Sequence, residues 1–193
     1  MKLPVEVFDI DDVLFYLWDN MRDCIEQKNW NIWTLGQAKK SEWINLPSDE
    51  IYKIIEENWL YKNMCPTPIL EKVKAYRNKM YLILATSRRK KYRDDTMEEL
   101  DRHGLYPDNF YIWEDKWDIC REERADDFYD DALHNIVCVQ DKSSNTKTHL
   151  VKRAWNGPDE IKKFQSRWIL SSNGIKRLTE DEVCRVLDQI VRN

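Results

Sequence analysis

Val5-Glu6-Val7-Phe8-Asp9-Ile10-Asp11-Asp12-Val13-Leu14 is the stretch whose reading decides the fold. Its apolar start reads as a buried strand, and the first carboxylate arrives where that strand should end. Side chains at i and i+2 leave a strand on the same face. Asp9 and Asp11 are therefore expected side by side at the carboxyl edge of a sheet, the edge at which open α/β sheets bind ligands. Two adjacent carboxylates repel unless a cation or a proton lies between them. The pair points to a metal site, an acid/base pair, or both.

Outward from this strand, hydrophobic periodicity gives a mostly helical stretch from Leu14 to about Lys79. Residues 14–28 place Leu14, Leu17, Trp18, Met21 and Ile25 at helical spacing. Ser48-Asp49-Glu50-Ile51 resembles a capped helix start, with Ile51, Ile54, Ile55, Trp59 and Leu60 as its apolar face. Pro66 and Pro68 break the chain before a helix from Ile69 to about Asn78. Met80–Ala85 reads as a second buried strand ending in Thr86-Ser87-Arg88-Arg89, and a polar helix from about Tyr92 to His103 stops at Gly104. Further strands are expected at Phe110–Trp113, Phe128-Tyr129 and Ile136–Val139, with a short helix from Trp117 to Arg124 between the first two. Helices over 159–169 and 180–191 close the chain, the last capped by Thr179. Alternating strands and helices predict one α/β domain with a Rossmann-like parallel sheet covered on both faces. The helical stretch after the first strand is too long for an ordinary crossover. Residues 1–14 and 80–193 are read as the core, and 15–79 as an inserted helical cap.

Of the 193 residues, 34% are charged and 42% hydrophobic, a globular balance with a core of useful size. A formal charge of −4 argues against a global basic field for nucleic acid. No apolar run approaches a membrane span, and Met1-Lys2-Leu3-Pro4 runs directly into the first strand, so a cytoplasmic protein without a signal peptide or membrane partner is expected. Five scattered cysteines without a Cys-x-x-Cys favour free thiols, and three distant histidines argue against structural zinc.

Four polar clusters fall at or just beyond strand ends: Asp9 with Asp11, Thr86 with Ser87, Lys116, and Asp130 with Asp131. Parallel strands bring their carboxyl ends to one edge, so the clusters can converge there. Carboxylates suit a hard cation such as Mg²⁺, and one carboxylate can act as a nucleophile through an aspartyl-phosphate. A hydroxyl and a lysine can bind phosphoryl oxygens whose charge must be held in the transition state. An EF-hand is excluded, since its glycine would fall on Leu14 and its bidentate Glu on Asn20. A phospho-receiver module is excluded because Tyr52 to Trp59, where its aspartate belongs, is helical in pattern and offers Glu56 and Glu57.

In this order the clusters resemble the four motifs of the haloacid dehalogenase superfamily of phosphohydrolases, over residues 4–14 and 80–140, with the insertion where that superfamily carries its first type of cap. Thr86-Ser87-Arg88, Asp115-Lys116, Phe128-Tyr129-Asp130-Asp131 and the later Ala154-Trp155-Asn156 are similar to the small 5′(3′)-deoxyribonucleotidases. The resemblance implies Asp9 as nucleophile and Asp11 as general acid/base. It implies phosphate binding by Thr86 through its hydroxyl, with Ser87 and Arg88 beside it, and Lys116 bridging nucleophile and phosphoryl group. It also implies Mg²⁺ held by Asp9, the Asp11 carbonyl and Asp130, supported by Asp131, and a small phosphorylated substrate, a nucleoside monophosphate. Asp12 departs from the glycine frequent in the family, and Arg88-Arg89-Lys90-Lys91 is unusually basic. That run favours a second phosphate or a nucleic-acid end, which keeps a polynucleotide 3′-phosphatase as the enzymatic alternative and a silent nucleotide- or phosphate-binding protein as the other. Trp18, Trp30, Trp33, Trp43 and Trp59 crowd the insertion, either as its own core or as a stacking surface for a base.

Overall fold

A computed structural model describes residues 2–21, 48–153, 155–158, 161 and 175–190. Among the described residues six parallel strands form one sheet in the order β3-β2-β1-β4-β5-β6. They are β1 (Val5–Phe8), β2 (Tyr81–Thr86), β3 (Asn109–Ile112), β4 (Asp127–Asp130), β5 (Lys147–Val151) and β6 (Arg177–Leu178). The first strand lies in the middle, with Val7 opposite Ile83 of β2 and Phe128 of β4. That position explains its unbroken burial, because a strand covered on both faces has no polar side to show.

The helices include α1 (Ser48–Glu57), α2 (Pro68–Ala75), α3 (Arg93–Arg102), α4 (Lys116–Glu122), α5 (Leu133–Lys142) and α6 (Glu180–Ile190). On one face Phe8, Leu82 and Leu84 bury against Ile69, Leu70 and Val73 of α2 and Val183 and Leu187 of α6. On the other, Val7, Ile83, Ala85 and Phe128 meet Ile119 and Cys120 of α4 and Ile136 and Val137 of α5. The expected Rossmann-like α/β architecture is therefore present. Local signals acted as anticipated at several ends. Pro68 opens α2, where a missing amide proton costs nothing. Gly104 takes φ +66° after α3. Thr179 and Glu182 form a reciprocal capping box, the Glu182 carboxylate accepting the Thr179 amide at 2.8 Å.

Other expectations need correction. Ile136-Val137-Cys138-Val139 is not a strand but the middle of α5, whose buried residues Leu133, Ile136 and Val137 recur at helical spacing. A short run that is apolar throughout carries no period, so a strand and a buried helix look alike. The strand next to β4 is instead Lys147–Val151, whose polar start hid it. Residues 14–16 are not helical; Phe15 bridges both Asp11 and Pro66, and helix begins at residue 17. Trp59 does not share the apolar face of α1 but lies 61% exposed in a left-handed turn. Of the helix expected over 159–169 only Ile161 is described, and it is helical, its amide donating to the Gly157 carbonyl at 3.1 Å; the rest of that span, the end of the 14–28 helix, and Cys24, Trp30, Trp33 and Trp43 lie outside the described residues. Cys65, Cys120, Cys138 and Cys184 are free thiols, and no helix among the described residues is long and apolar enough to cross a membrane.

One polar residue in the sheet has a consequence for stability. Glu6 of β1 is fully buried opposite Asp127, and neither of its oxygens has a hydrogen-bond partner among the described residues; the Tyr129 hydroxyl approaches outside hydrogen-bond geometry. Burial, reinforced by Asp127, pushes its pKa up to about 8, while Tyr129 opposes the rise. A raised pKa means that the native state keeps a proton which the unfolded state loses near the ordinary glutamate value. The contribution is therefore fully present below that value and lost as pH rises through about 8. Glu6→Gln is expected to gain stability relative to wild type across this window, by about a few kcal/mol at full titration. Denaturant unfolding of both proteins at acid and at alkaline pH checks this, and a difference independent of pH would contradict it.

Candidate active site

The carboxyl ends of β1, β2 and β4 meet beneath a cavity of about 320 Å³. Asp9 follows β1, and its amide continues the ladder by donating to the Tyr129 carbonyl at 2.9 Å. Lys116 begins α4 after the β3 turn, and Asp130 ends β4. Lys116 Nζ lies 2.8 Å from Asp9 Oδ1 and 2.7 Å from Asp130 Oδ2, and all three side chains are buried. Asp130 is held further: its Oδ1 accepts the Ala132 amide at 2.6 Å and its Oδ2 accepts Asn135 Nδ2 at 2.9 Å. Asp131, also buried, accepts Trp155 Nε1 at 2.6 Å, while Asn156 Nδ2 donates to the carbonyls of Asp131 and Val151.

The two hydroxyls expected to meet phosphate differ in setting. Ser87 is exposed and lines the cavity, whereas Thr86 is buried and its Oγ1 accepts the Arg88 amide at 3.2 Å. Arg88 lines the cavity too, but its guanidinium grips Asp11: Nη2 is 2.6 Å from Oδ1, and Nε is 3.0 Å from Oδ2. Asp12 adopts φ 59°, a left-handed backbone that favours glycine. Its side chain accepts the Trp18 amide at 3.0 Å, a favourable charge at the start of the helical residues 17–21.

The electrostatics centre on Asp9. Burial pushes its pKa up to about 8, with Asp130, Asp11 and Asp131 adding to the rise and Lys116 opposing it. Burial also works against the Lys116 charge, but Asp130 and Asp9 override it and hold the ammonium above the ordinary lysine value. Carboxylate oxygens of Asp9, Asp130 and Asp131 come within 4.8 Å of one another. Asp9 Oδ1 is buried without a hydrogen bond of good geometry among the described residues, its close neighbour being the Lys116 ion pair. An all-oxygen cluster carrying more negative than positive charge suits a hard divalent cation, which would also favour the ionised form of Asp9. The residues present fit Mg²⁺.

The upper wall is apolar and comes from residues between β1 and β2: Leu17, Trp18, Met21, Ile51, Tyr52 and Ile55. Tyr61, Asn135 and His134, which the sequence did not single out, also line the cavity. Asn135 falls in the first turn of α5, so reading residues 136–139 as helix would have placed it at this edge.

No protein-family model matches the chain, and no curated protein does. Solved structures that resemble it include haloacid dehalogenase-like hydrolases. A haloacid dehalogenase-like family hydrolase from Streptococcus pneumoniae has 11% identity and a TM-score of 0.62, covering 97% of this chain and 98% of its own. A protein assigned as a β-phosphoglucomutase from Thermotoga maritima has 11% identity and a TM-score of 0.64, covering 97% and 99%. A protein assigned as a phosphoglycolate phosphatase from Haemophilus somnus has 12% identity and a TM-score of 0.59, covering 98% of each chain. At such identities the likeness is one of fold.

Proposed function

We propose that this chain is a Mg²⁺-dependent phosphomonoesterase that works through an aspartyl-phosphate on Asp9, and that its substrates are nucleoside monophosphates of the 5′(3′)-nucleotidase kind. The observation that carries the reading is the buried Asp9–Lys116–Asp130 chain of ion pairs at the floor of a cavity with an apolar roof. In this reading an Asp9 oxygen attacks phosphorus as the bond to the leaving oxygen breaks, and the Asp11 carboxyl gives that oxygen its proton. Lys116 neutralises charge on the phosphoryl oxygens, and the Ser87 and Thr86 region binds the phosphate. Water then attacks the phosphoryl group, giving its proton to Asp11 and freeing Asp9. Asp9, Asp130 and Asp131, with the Asp11 carbonyl, would hold Mg²⁺, which supplies further charge neutralisation at the phosphoryl group.

Two observations favour a small ester over a polymer end. A cavity of about 320 Å³ is near the lower end of ligand pockets, roughly 300–1,000 Å³. Of the basic run, Arg88 pairs with Asp11, Arg89 stacks on Tyr52 at 3.7 Å, and Lys91 pairs with Glu56 at 2.5 Å, so these charges are engaged within the protein. The test is phosphate release from deoxynucleoside monophosphates, a 3′-phosphorylated oligonucleotide, phosphoglycolate, a sugar phosphate and p-nitrophenyl phosphate, with Mg²⁺ or chelator. The highest kcat/KM is expected for the mononucleotides, with activity lost in chelator. Preference for the oligonucleotide, falling steeply with salt, would move the assignment to the 3′-phosphatase.

The metal half of the reading has its own check. Asp130→Ala is expected to weaken Mg²⁺ binding by ~10-fold or more in calorimetric titration. Asp12→Ala should leave it near wild type, because that carboxylate holds the Trp18 amide instead. The reverse ranking would place the cation on the wrong carboxylates.

A further inference from the structure

Arg88 is among the largest fully buried side chains of the described residues, at 2% exposure. A guanidinium in that position must be satisfied on every side, and here each nitrogen has a partner. Nε and Nη2 form a fork on the Asp11 carboxylate. Nη1 donates to Thr96 Oγ1 of α3 at 2.9 Å, and the Thr96 hydroxyl in turn donates to the Tyr92 carbonyl at 2.7 Å. Nη2 lies 3.2 Å from Met64 Sδ, and the guanidinium carbon sits 4.0 Å from the centre of the Tyr61 ring. Tyr61 and Met64 belong to the segment between β1 and β2, beside the crossing where Tyr16 and Thr67 bond to Cys65 and Leu14. The fork therefore ties a carboxylate at the cavity to both the sheet-covering helix and the inserted segment.

We infer, on the phosphomonoesterase reading above, that Arg88 is a positioning residue for Asp11, with Thr96 and Tyr61 keeping the guanidinium in place. A bidentate fork fixes the plane of a carboxyl group as well as its place, which a single ammonium cannot do. When Asp11 gives its proton to the leaving oxygen, a negative charge appears on the carboxylate beside a fixed positive one, and the field is already in place when the P–O bond breaks. Arg88 thus acts on the leaving-group side of the reaction and not on the phosphate itself. Arg89 on Tyr52 and Lys91 on Glu56 tie the same basic run to α1, so the guanidinium sits where the inserted segment meets the core.

The test compares two substrates that differ in their need for a proton. The leaving oxygen of a nucleoside 5′-monophosphate needs one, whereas that of p-nitrophenyl phosphate departs as a stable anion. Reading kcat/KM confines the comparison to steps up to formation of the phosphoenzyme. Arg88→Lys is expected to lower kcat/KM for the mononucleotide by ~10²-fold and for p-nitrophenyl phosphate by less than ~10-fold. Competitive inhibition by inorganic phosphate should stay close to wild type. Thr96→Val, which keeps the guanidinium but removes one anchor, should show the same split at smaller size, and it carries the test if Arg88→Lys does not fold. Equal losses on both substrates, with phosphate inhibition weakened in step, would overturn the inference and make Arg88 a phosphate ligand. Unchanged kinetics in both variants would overturn it as well. A wild-type protein active on both substrates confines such a failure to Arg88, whereas wild type inert on both removes the phosphatase reading and this assignment together.

Discussion

Asp9→Asn is expected to stop phosphate release, by ~10⁴-fold or more, the scale on which loss of a nucleophile is felt. The amide has nearly the shape of the carboxylate but lacks the charge and basicity to attack phosphorus. Stability should move the other way or not at all. Asp9 is buried beside Asp11, Asp130 and Asp131, and these like charges together with burial disfavour its ionised form. Removing one charge from that group relieves repulsion while Lys116 keeps Asp130 as a partner. Activity lost at an undiminished Tm identifies a chemical role. Asp11→Asn should lose less, ~10²–10⁴-fold, because only the proton transfer is removed. A variant in which Asp9→Asn keeps substantial turnover would place the nucleophile elsewhere.

Lys116→Met is expected to lose both activity and stability. Lys116 is buried and pairs with two buried carboxylates that come from different strands. Taking away one partner of a buried ion pair leaves the others uncompensated, at a cost of about 3–5 kcal/mol. Methionine keeps much of the volume and none of the charge, so the loss reads as electrostatic. The urea midpoint should fall with little change in slope, as for a change in stability without a change in the surface exposed. Asn135→Ala removes a neutral donor to the same Asp130 oxygen and should cost less, about 1 kcal/mol. Lys116→Met melting like wild type would mean that the two ion pairs contribute nothing to the fold.

The parts of this site that were legible in the sequence are those set by local geometry. The i, i+2 spacing of Asp9 and Asp11 and the apolar run before them placed both carboxylates at a sheet edge. The ends of β2 and β4 did the same for Thr86, Ser87, Asp130 and Asp131. Lys116 followed from the short turn after β3. Less legible was anything fixed by tertiary partners. The 136–139 run has no period and reads as a strand, which hides both α5 and the true strand Lys147–Val151. That strand starts with Lys147 and Thr148, and its His149 pairs with Asp127 at 2.5 Å, so its alternation is polar where a buried strand is expected to be apolar. The Arg88 fork joins residues 77 positions apart, and no spacing rule reaches that far. The burial of Arg88, two residues after Thr86, is visible only once residues between β1 and β2 pack against it. The left-handed backbone of Asp12 and its bond to the Trp18 amide are likewise set by the folded chain and not by any spacing in the sequence.

The central claim is that phosphate passes through Asp9, and rapid acid quench of wild-type protein with a mononucleotide and Mg²⁺, followed by mass spectrometry of the digested chain, tests it directly. A phosphoryl group on the peptide carrying Asp9, localised to Asp9 by fragmentation and absent from Asp9→Asn, is the predicted result. Phosphate release with no phosphorylated peptide at any quench time, or with the group on another residue, would contradict the account.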